Sequence, residues 1–232
     1  AGASGIHCAG IKTDDDIDAA PAEVKATCVN KFDCTSELQR ALDSGAQRVI
    51  VPYLGRPWLI QPISLRSNQI VTLESHVELL AKSGAFHSKG AALVTVHSAV
   101  NVTFEGGFNS TLRMRQADYL NKTAGVSYSW SWDRHGMDIV NVQGLVVRSI
   151  IITETGGNVM SIGNESPMRT RDVTITNCTL DQGFSQGLSI YGGTNIHVED
   201  TLISNCNGTD PVDAIDIEPG TDKQELANIR IS

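Results

Sequence analysis

The chain has no excess of basic residues: 18 Lys and Arg stand against 26 Asp and Glu, which gives a net charge of −8 and an isoelectric point near 5.2. A protein that binds nucleic acid or an anionic membrane surface needs a basic face, so this composition argues against both partners. No apolar run reaches the length of a transmembrane helix, so we expect no membrane insertion. A local basic groove could still bind an anionic polysaccharide.

Cysteines are few, and their spacing excludes a zinc site. The sequence contains neither a Cys-x-x-Cys pair nor a Cys/His spacing typical of zinc ligands. Cys8, Cys28 and Cys34 lie near the N-terminus, whereas Cys178 and Cys206 lie in the second half of the chain. We expect one or two disulfides within the N-terminal part, and we expect Cys178, beside a predicted strand, to be a buried free thiol.

The sequence also lacks an initial Met and an apolar signal region, which we interpret as a processed N-terminus or a trimmed chain.

Six Asn-x-Ser/Thr sequons are present, at Asn101, Asn109, Asn121, Asn164, Asn177 and Asn207. They predict a secreted, extracellular glycoprotein. The alternative is that the turns of the fold favour Asn and its strands favour Thr, which would raise the number of sequons without any glycan.

What the sequence does contain is a short repeat in its second half. Four segments align on a final isoleucine, and these isoleucines are 23, 28 and 27 residues apart. The segments are His135–Ile139, Asn158–Ile162, Gln186–Ile190 and Asp213–Ile217. A second apolar strand follows each one, at Leu145–Val147, Val173–Ile175, Ile196–Val198 and Ile229–Ile231.

Alternating strands that recur at this period, with no helical pattern between them, are typical of a solenoid. One coil cannot bury its apolar face alone, but stacked coils bury a continuous core. We therefore predict an all-β fold, a single-stranded right-handed parallel β-helix. Its core should contain one buried ladder formed by Ile139, Ile162, Ile190 and Ile217.

The N-terminal part predicts a cap for this solenoid. Asp33 or Thr35 can begin a helix whose apolar stripe is Leu38, Ala41 and Leu42, and Gly45 would end it. Such a helix would cover the open end of the coils, where unpaired strand edges invite aggregation. We expect one domain over residues 1–232, with a lead-in and cap at 1–48 and coils at 49–232. The acidic run at residues 14–16 is predicted to be solvated surface or part of the cap.

Three consecutive features of this part carry a family resemblance: Asp33–Leu42 (DCTSELQRAL), Val49–Pro52 (VIVP) and the Trp58-Leu59 pair. Together they resemble the opening of the pectin-lyase-like superfamily, which has a cap helix, a V-x-(V/I)-P strand and a G-x-(Y/W) turn. The resemblance implies a parallel β-helix and an activity among polysaccharide hydrolases, lyases, epimerases and non-catalytic members. The polygalacturonase signatures Asn-Thr-Asp, Gly-Asp-Asp, Gly-His-Gly and Arg-Ile-Lys are absent, which argues against the hydrolase of that group.

Residues 105–132 interrupt the period and are predicted to form a long loop insert. Excursions from a solenoid often wall a binding groove. Arg113, Arg115, Trp130 and Trp132 are the candidate substrate-binding residues, because aromatic rings stack on sugars and guanidinium groups pair with carboxylates. The alternative is that these side chains only pack the loop onto the coils.

The repeats also locate outward-facing side chains, because neighbouring residues of a strand point to opposite faces. One outward column contains Thr95, Asp138, Ser161, Ser189 and Asp216, and a second contains His97, Val140, Gly163, Tyr191 and Glu218. Asp138 and Asp216, three coils or roughly 14 Å apart, cannot act together on one bond. The Cα atoms of Asp216 and Glu218 should be roughly 6.6–7 Å apart, near the lower limit for an inverting acid/base pair. That spacing also suits a shared Ca²⁺ ion, the one cofactor we consider; the alternative is solvated surface charge.

Arg134 and His135 precede the strand that carries Asp138. A lyase or epimerase acting on a uronate must neutralise the carboxylate and remove a proton. Arg134 is the candidate for substrate binding, and His135, Asp138, Tyr191, Asp216 and Glu218 are the candidate catalytic residues. The sequence thus predicts a secreted enzyme acting on an acidic polysaccharide by lyase or epimerase chemistry. The alternative is a non-catalytic glycan-binding or structural matrix or filament protein.

The last predicted strand, Ile229–Ile231, lies next to Ser232, and no capping helix follows it in the sequence. Because solenoids need polar caps for solubility, we expect either that this end contacts another copy of the chain or that the native chain continues.

Overall fold

The computed structural model describes residues 20–120, 128, 133–163, 169–221 and 224–232. Cys8 and the acidic run at residues 14–16 lie outside the described residues. In chain order the helices and strands are β1 (Glu23–Lys25), α1 (Thr35–Leu42), β2 (Arg48–Val51), β3 (Trp58–Ile60), β4 (Ile63–Ser64), β5 (Gln69–Leu73), β6 (Glu78–Ala81), β7 (Val94–His97), β8 (Val100–Gly106), β9 (Thr111–Arg113), α2 (Gln116–Leu120), β10 (Met137–Val140), β11 (Gln143–Arg148), β12 (Ile151–Thr153), β13 (Met160–Gly163), β14 (Arg171–Thr176), β15 (Thr179–Asp181), β16 (Leu188–Ile190), β17 (Gly193–Glu199), β18 (Leu202–Ser204), β19 (Ile215–Ile217) and β20 (Leu226–Ile231).

The strands form three sheets that run the length of the molecule. Sheet one contains β4, β7, β10, β13, β16 and β19; sheet two contains β1, β2, β5, β8, β11, β14, β17 and β20; sheet three contains β3, β6, β9, β12, β15 and β18. Every described strand pair is parallel. Each full coil passes through sheets one, two and three in turn, so the predicted right-handed parallel β-helix is confirmed. In the aligned repeats of the second half the sequence predicts two strands in each coil, and the structure adds the third.

The predicted isoleucine ladder has the expected register. Ile139 pairs with Ile162, Ile162 with Ile190, and Ile190 with Ile217. The first three are fully buried, whereas Ile217 is 43% exposed because β19 is the edge strand of sheet one. The core is therefore a stack of aliphatic side chains that each coil shares with its neighbours.

Short polar residues turn the chain between sheets one and two. Asn68, Asn101, Asp172, Asn195 and Asn228 all have a positive φ, which Asn and Asp tolerate better than most residues. Their side chains also bond between coils: Nδ2 of Asn101 donates to Oδ1 of Asn68 over 3.1 Å, and Nδ2 of Asn228 donates to Oδ1 of Asn195 over 2.8 Å. Asn pairs thus connect adjacent coils at both ends of this corner, and Gly144 and Asp172 occupy the positions between them.

The predicted cap helix is confirmed as α1, and it covers one end of the coils. Leu38, Ala41 and Leu42 are buried against the first strands. The Gln39 side chain makes the two backbone hydrogen bonds that a neighbouring strand would make to β4. Its Nε2 donates to the Ser64 carbonyl over 3.1 Å, and its Oε1 accepts from the Ser64 amide over 2.9 Å. The edge of sheet one is satisfied there without another strand.

A disulfide joins Cys28 and Cys34 within the cap, with the Cα atoms 5.0 Å apart, so the prediction of a disulfide in this part is confirmed. Cys178 is a buried free cysteine, as predicted, and Cys206 is a half-buried one. No helix among the described residues is long and apolar enough to cross a membrane.

The loop insert begins later than the sequence predicts. Residues 105–106 belong to β8, and Thr111–Arg113 forms β9, which pairs with β6 and β12 in sheet three. The true excursion therefore follows Arg113 and includes α2. The predicted start at residue 105 is too early because the third strand of this coil, β9, is not predicted from the sequence.

Candidate active site

A cleft with a volume of about 540 Å³ lies along the outer surface of sheet one. Its floor contains the first predicted column, because Asp138 pairs with Ser161, Ser161 with Ser189, and Ser189 with Asp216 on adjacent strands. Tyr191 and Glu218 of the second column also line it. Five predicted residues thus meet there: the described residues that line the cleft include His135, Asp138, Tyr191, Asp216 and Glu218.

The cleft is acidic. Its carboxylates are Asp133, Asp138, Asp210, Asp216 and Glu218. No Lys or Arg is among the described residues that line it. A ligand with closely spaced negative charges would be repelled here, whereas an uncharged polyhydroxylated chain would find many hydrogen-bond acceptors.

Asp216 is half-buried on β19, the edge strand of sheet one. Nε2 of Gln186 donates to Oδ2 of Asp216 over 2.7 Å. Burial raises the pKa of Asp216, and the nearby charges of Glu218 and Asp213 raise it further. Asp216 therefore holds its proton to higher pH than an ordinary aspartic acid does.

Tyr191 lies over Gly163 of the preceding coil. A Cβ at Gly163 would be 1.8 Å from both Cε2 and Cζ of Tyr191 and 2.4 Å from Cε1. These three distances place the added atom above the ring plane, not beside its edge, so one face of the ring covers the Gly163 backbone. The ring is held flat at the cleft because the neighbouring coil has no side chain at this position.

The other end of the cleft holds a histidine–aspartate pair. Nε2 of His97 and Oδ2 of Asp138, which lie on neighbouring strands, are 2.8 Å apart. His135 is only 7% exposed, and burial lowers its pKa, although Asp138 and Asp133 oppose the effect. His135 is therefore neutral near pH 7 and forms part of the cleft wall.

Sequence reasoning missed several polar residues of the cleft, including Asn158, Ser185 and Gln186. Oδ1 of Asn158 accepts from the Gln186 amide over 3.2 Å, and Oγ of Ser185 donates to the Pro211 carbonyl over 3.1 Å. The repeat contained a signal for two of them. Asn158 and Gln186 open their five-residue segments in the same way as His135, so a polar residue at this position recurs from coil to coil.

The structure does not bring Arg134 into the cleft as a substrate-binding residue. Arg134 is 2% exposed, its Nε donates to the Phe86 carbonyl over 2.8 Å, and its guanidinium carbon lies 4.9 Å and 5.6 Å from the ring centroids of Tyr119 and Tyr128. Burial lowers its pKa, and the two tyrosines oppose that effect. Arg134 instead contacts both the tyrosine rings of the excursion and the backbone of the loop around Phe86, and so connects these two segments.

Arg113 and Arg115 also lie away from the cleft. Arg113 is on β9 in sheet three, where it pairs with Glu78 over 2.5 Å and Glu154 over 3.6 Å. Nε of Arg115 donates to the Ala81 carbonyl over 2.6 Å. Both guanidinium groups therefore have structural partners beside sheet three. Trp130 and Trp132 lie outside the described residues.

Four of the six sequon asparagines are described, and all four are exposed: Asn101, Asn109, Asn177 and Asn207. Three of them, Asn101, Asn109 and Asn177, have a positive φ, so they also serve as turn residues of the coils. Asn121 and Asn164 lie outside the described residues.

Calcium, the one cofactor considered from the sequence, has no assigned site in the described part of the chain. No three His, Cys, Asp or Glu side chains come together there in a group that could hold a metal ion.

The predicted self-association through the last coil stays a prediction. Leu202, Ile217 and Ile231 are 60%, 43% and 49% exposed at that end, and nothing shows what covers them.

Neither a scan against protein-family models nor a search of curated proteins finds a match. Solved structures do match the fold. A provisionally assigned glycosyl hydrolase from Parabacteroides merdae is 13% identical with a TM-score of 0.61, and the alignment covers 90% of this chain and 98% of that one. A 1,3-α-1,4-β-D-galactose-4-sulfate-3,6-anhydro-D-galactose-2-sulfate 4 galactohydrolase is 18% identical with a TM-score of 0.62, covering 97% of this chain and 55% of that one. At these identities the similarity shows a shared parallel β-helix.

Proposed function

We propose that the chain is a glycoside hydrolase that cleaves an uncharged polysaccharide lying along the cleft of sheet one. The observation that carries the proposal is the pair Asp216 and Glu218. Both line the cleft, and they lie two residues apart at the end of one strand. One of them has a raised pKa and the other supplies a nearby carboxylate, which is the arrangement that glycoside hydrolysis requires.

Asp216 is the general acid and Glu218 the general base of this proposal. Water attacks the anomeric carbon while Glu218 accepts a proton from it. The bond from that carbon to the leaving sugar breaks, and Asp216 delivers its proton to the departing oxygen. The Cα atoms of residues two apart on one strand are roughly 6.6–7 Å apart. The proposal places the two carboxyl groups at a similar separation, which admits the attacking water, so the product should have inverted anomeric configuration.

Tyr191 and the serine column position the sugar chain in this scheme. A flat aromatic ring offers a stacking surface for one sugar, and Ser161 and Ser189 present hydroxyl groups along the floor. The cleft crosses the coils, so the polysaccharide would run parallel to the solenoid axis, with the scissile bond at the Asp216 end.

The charge of the cleft supports an uncharged substrate. The lyase or epimerase reaction predicted from the sequence needs a cation beside the uronate carboxylate. Arg134, the candidate for that role, is buried outside the cleft, and the described cleft residues include no Arg or Lys. Elimination from an acidic polysaccharide is therefore supported less well than hydrolysis of a neutral one.

The names of the structural neighbours agree with hydrolysis. The P. merdae protein and the galactohydrolase both carry hydrolase names on the same fold. The sulfated sugars in the second name are not carried over, because sulfate groups would face the carboxylates of this cleft.

An extracellular location is part of the proposal. The exposed sequons and the Cys28–Cys34 disulfide support an oxidising, glycosylating compartment. Intact-mass measurement of protein secreted from eukaryotic cells, before and after glycosidase treatment, should show the loss of N-linked chains. An unchanged mass would show that the sequons carry no glycans, and the sequons would then no longer support an extracellular location.

Product analysis tests the proposed reaction. The chain is incubated with neutral polysaccharides such as xylan, mannan and arabinan, and with polygalacturonate and alginate as acidic counterparts. We expect new reducing ends from a neutral polymer without the ultraviolet absorbance of an unsaturated uronate. Unsaturated products from an acidic polymer would favour the lyase, and binding without cleavage would favour a glycan-binding module; either result contradicts the proposal.

A further inference from the structure

A row of exposed rings crosses three coils at the corner between sheets two and three. Tyr53 follows β2, His76 follows β5, and Phe108 follows β8. The ring centroids of Tyr53 and His76 are 6.1 Å apart, and those of His76 and Phe108 are 5.5 Å apart. Tyr53 is 53% exposed and Phe108 72% exposed, so the row presents apolar ring surface to solvent.

His76 lies at a corner where the backbone is left-handed. It has a φ of 64°, and Asn109, at the equivalent position of the next coil, has a φ of 56°. The corners of the next two coils place Ser149 and Asn177 in the same conformation. Histidine, like Asn and Asp, is enriched in this conformation, so the corner accepts an imidazole ring. The corner therefore holds the His76 ring between those of Tyr53 and Phe108.

A recess with a volume of about 300 Å³ continues the row toward the later coils. Its described lining includes Phe108, Asn109, Ser149, Asn177 and Thr179. None of its described lining residues is charged. Glu74, close in sequence to His76, is already paired with Lys25 over 3.0 Å.

We propose that this corner strip, formed by Tyr53, His76, Phe108, Asn109, Ser149 and Asn177, is a second binding surface for an uncharged glycan chain. Aromatic rings stack on the apolar faces of sugars, and amide and hydroxyl side chains bond to sugar hydroxyls. The strip covers five coils, or roughly 19 Å along the axis, which is enough for several sugars. It shares no described lining residue with the cleft.

The choice of an uncharged glycan rests on the proposed function, because the same polysaccharide would contact both surfaces. The strip would hold an insoluble polymer while the cleft cleaves one of its chains. It would therefore change how the protein is retained on a solid substrate and leave turnover of a short soluble substrate unchanged.

Binding to insoluble polysaccharide tests this inference. The Asp216→Asn chain, produced without glycans in a bacterial host, is mixed with insoluble xylan, mannan and cellulose, and the unbound protein is measured. Adding Tyr53→Ala and Phe108→Ala should weaken binding by about tenfold or more, since two stacking contacts are removed. Thr179→Arg, which fills the recess with a charged side chain, should weaken binding as well.

Phe32→Ala is the matched control, because Phe32 is 70% exposed but lies in the cap. It should bind as the parent does, and all variants should give the same circular dichroism spectrum. Equal binding by parent and double variant, equal loss in the control, or no binding to any of the three probes would overturn the inference.

Two further outcomes separate this inference from the proposed function. If the wild-type chain binds through the strip but releases no reducing ends, the hydrolase proposal fails and the second surface stands. Full N-glycosylation of Asn109 or Asn177 in the secreted protein would overturn the second surface alone, because a glycan there would fill the recess.

Discussion

The side chain of Gln186 donates a hydrogen bond of 2.7 Å to Oδ2 of Asp216 on the neighbouring coil. An amide nitrogen can only donate, and the carbonyl oxygen of a neutral carboxyl group is a better acceptor than its hydroxyl oxygen, so we expect a neutral Asp216 to carry its proton on Oδ1. The hydrogen bond thus orients the carboxyl group and assigns its two oxygens different tasks. Oδ2 is fixed by the protein, and Oδ1 is the atom that can give a proton to the substrate.

The pH dependence of the reaction should therefore depend on Asp213. Activity should fall as pH rises through the raised pKa of Asp216, because the acid is lost there. Asp213 helps to raise that pKa but does not line the cleft. Asp213→Asn should lower the pKa of Asp216 and shift the alkaline limb of the kcat/KM profile to lower pH by a fraction of a pH unit.

Asp200→Asn is the control for this prediction, since Asp200 is an exposed turn residue between sheets two and three. Its alkaline limb should match that of the wild type. An Asp213→Asn profile that is unshifted, or shifted to higher pH, would show that Asp216 is not the acid.

Removing the Asp216 charge should stabilise the fold. The folded-state pKa of Asp216 is raised, so its ionised form opposes folding at pH above that pKa. Asp216→Asn should increase the free energy of unfolding at pH 7 by about 1 kcal/mol at most, or about 2–4 °C in Tm for a chain of this size. Below the ordinary aspartate pKa of about 3.9 both chains are uncharged at this site, and the gain should vanish. Thermal unfolding at both pH values checks the sign, and a loss of stability at pH 7 would contradict it.

Gly163→Ala should move the ring of Tyr191. The new Cβ would lie 1.8 Å from two ring atoms, so the ring must leave its position over the neighbouring coil. We expect KM to rise several-fold with a smaller change in kcat, and Tyr191→Ala to produce the same pattern. Ser161→Ala, two residues before Gly163 on β13 and on the cleft floor, removes a hydroxyl but leaves the ring in place and should raise KM less. Unchanged KM in Gly163→Ala would remove Tyr191 from the binding surface.

Position along the ladder should determine the cost of truncating an isoleucine. Ile190 is fully buried between coils, and its replacement by Ala should cost about 2–5 kcal/mol of unfolding free energy. Ile217 is 43% exposed on the edge strand and should cost less than half as much. Urea unfolding of both variants measures the difference, and equal costs would contradict a core that ends at this coil.

The fold could be predicted from the sequence because alternation and repeat act together. Each isoleucine of the ladder has the same strand neighbours, so one alignment determines the register of four coils. The third strands β9, β12, β15 and β18 were missed because each has only three residues, such as Ile151–Thr153, too few to show a clear alternation. That omission also placed Arg113 in a loop when it lies on a strand.

Most of the predicted site residues that line the cleft were found because strand parity determines side-chain direction. Asp138 and Asp216 follow directly from it, and both line the cleft. Arg134 lies before its strand, where parity does not apply. Its buried surroundings come from Phe86, 48 residues earlier in the chain, and from the rings of Tyr119 and Tyr128 in the excursion. No local pattern in the sequence indicates those contacts.

Reducing-end release by active-site variants tests the central claim most directly. On the neutral polysaccharide that the wild type cleaves, Asp216→Asn and Glu218→Gln should each lower kcat by about 10²–10⁴-fold, the usual contribution of a general acid or base. The Asp200→Asn control should keep wild-type activity. If either cleft variant keeps turnover within a few-fold of the wild type, the pair does not carry the reaction.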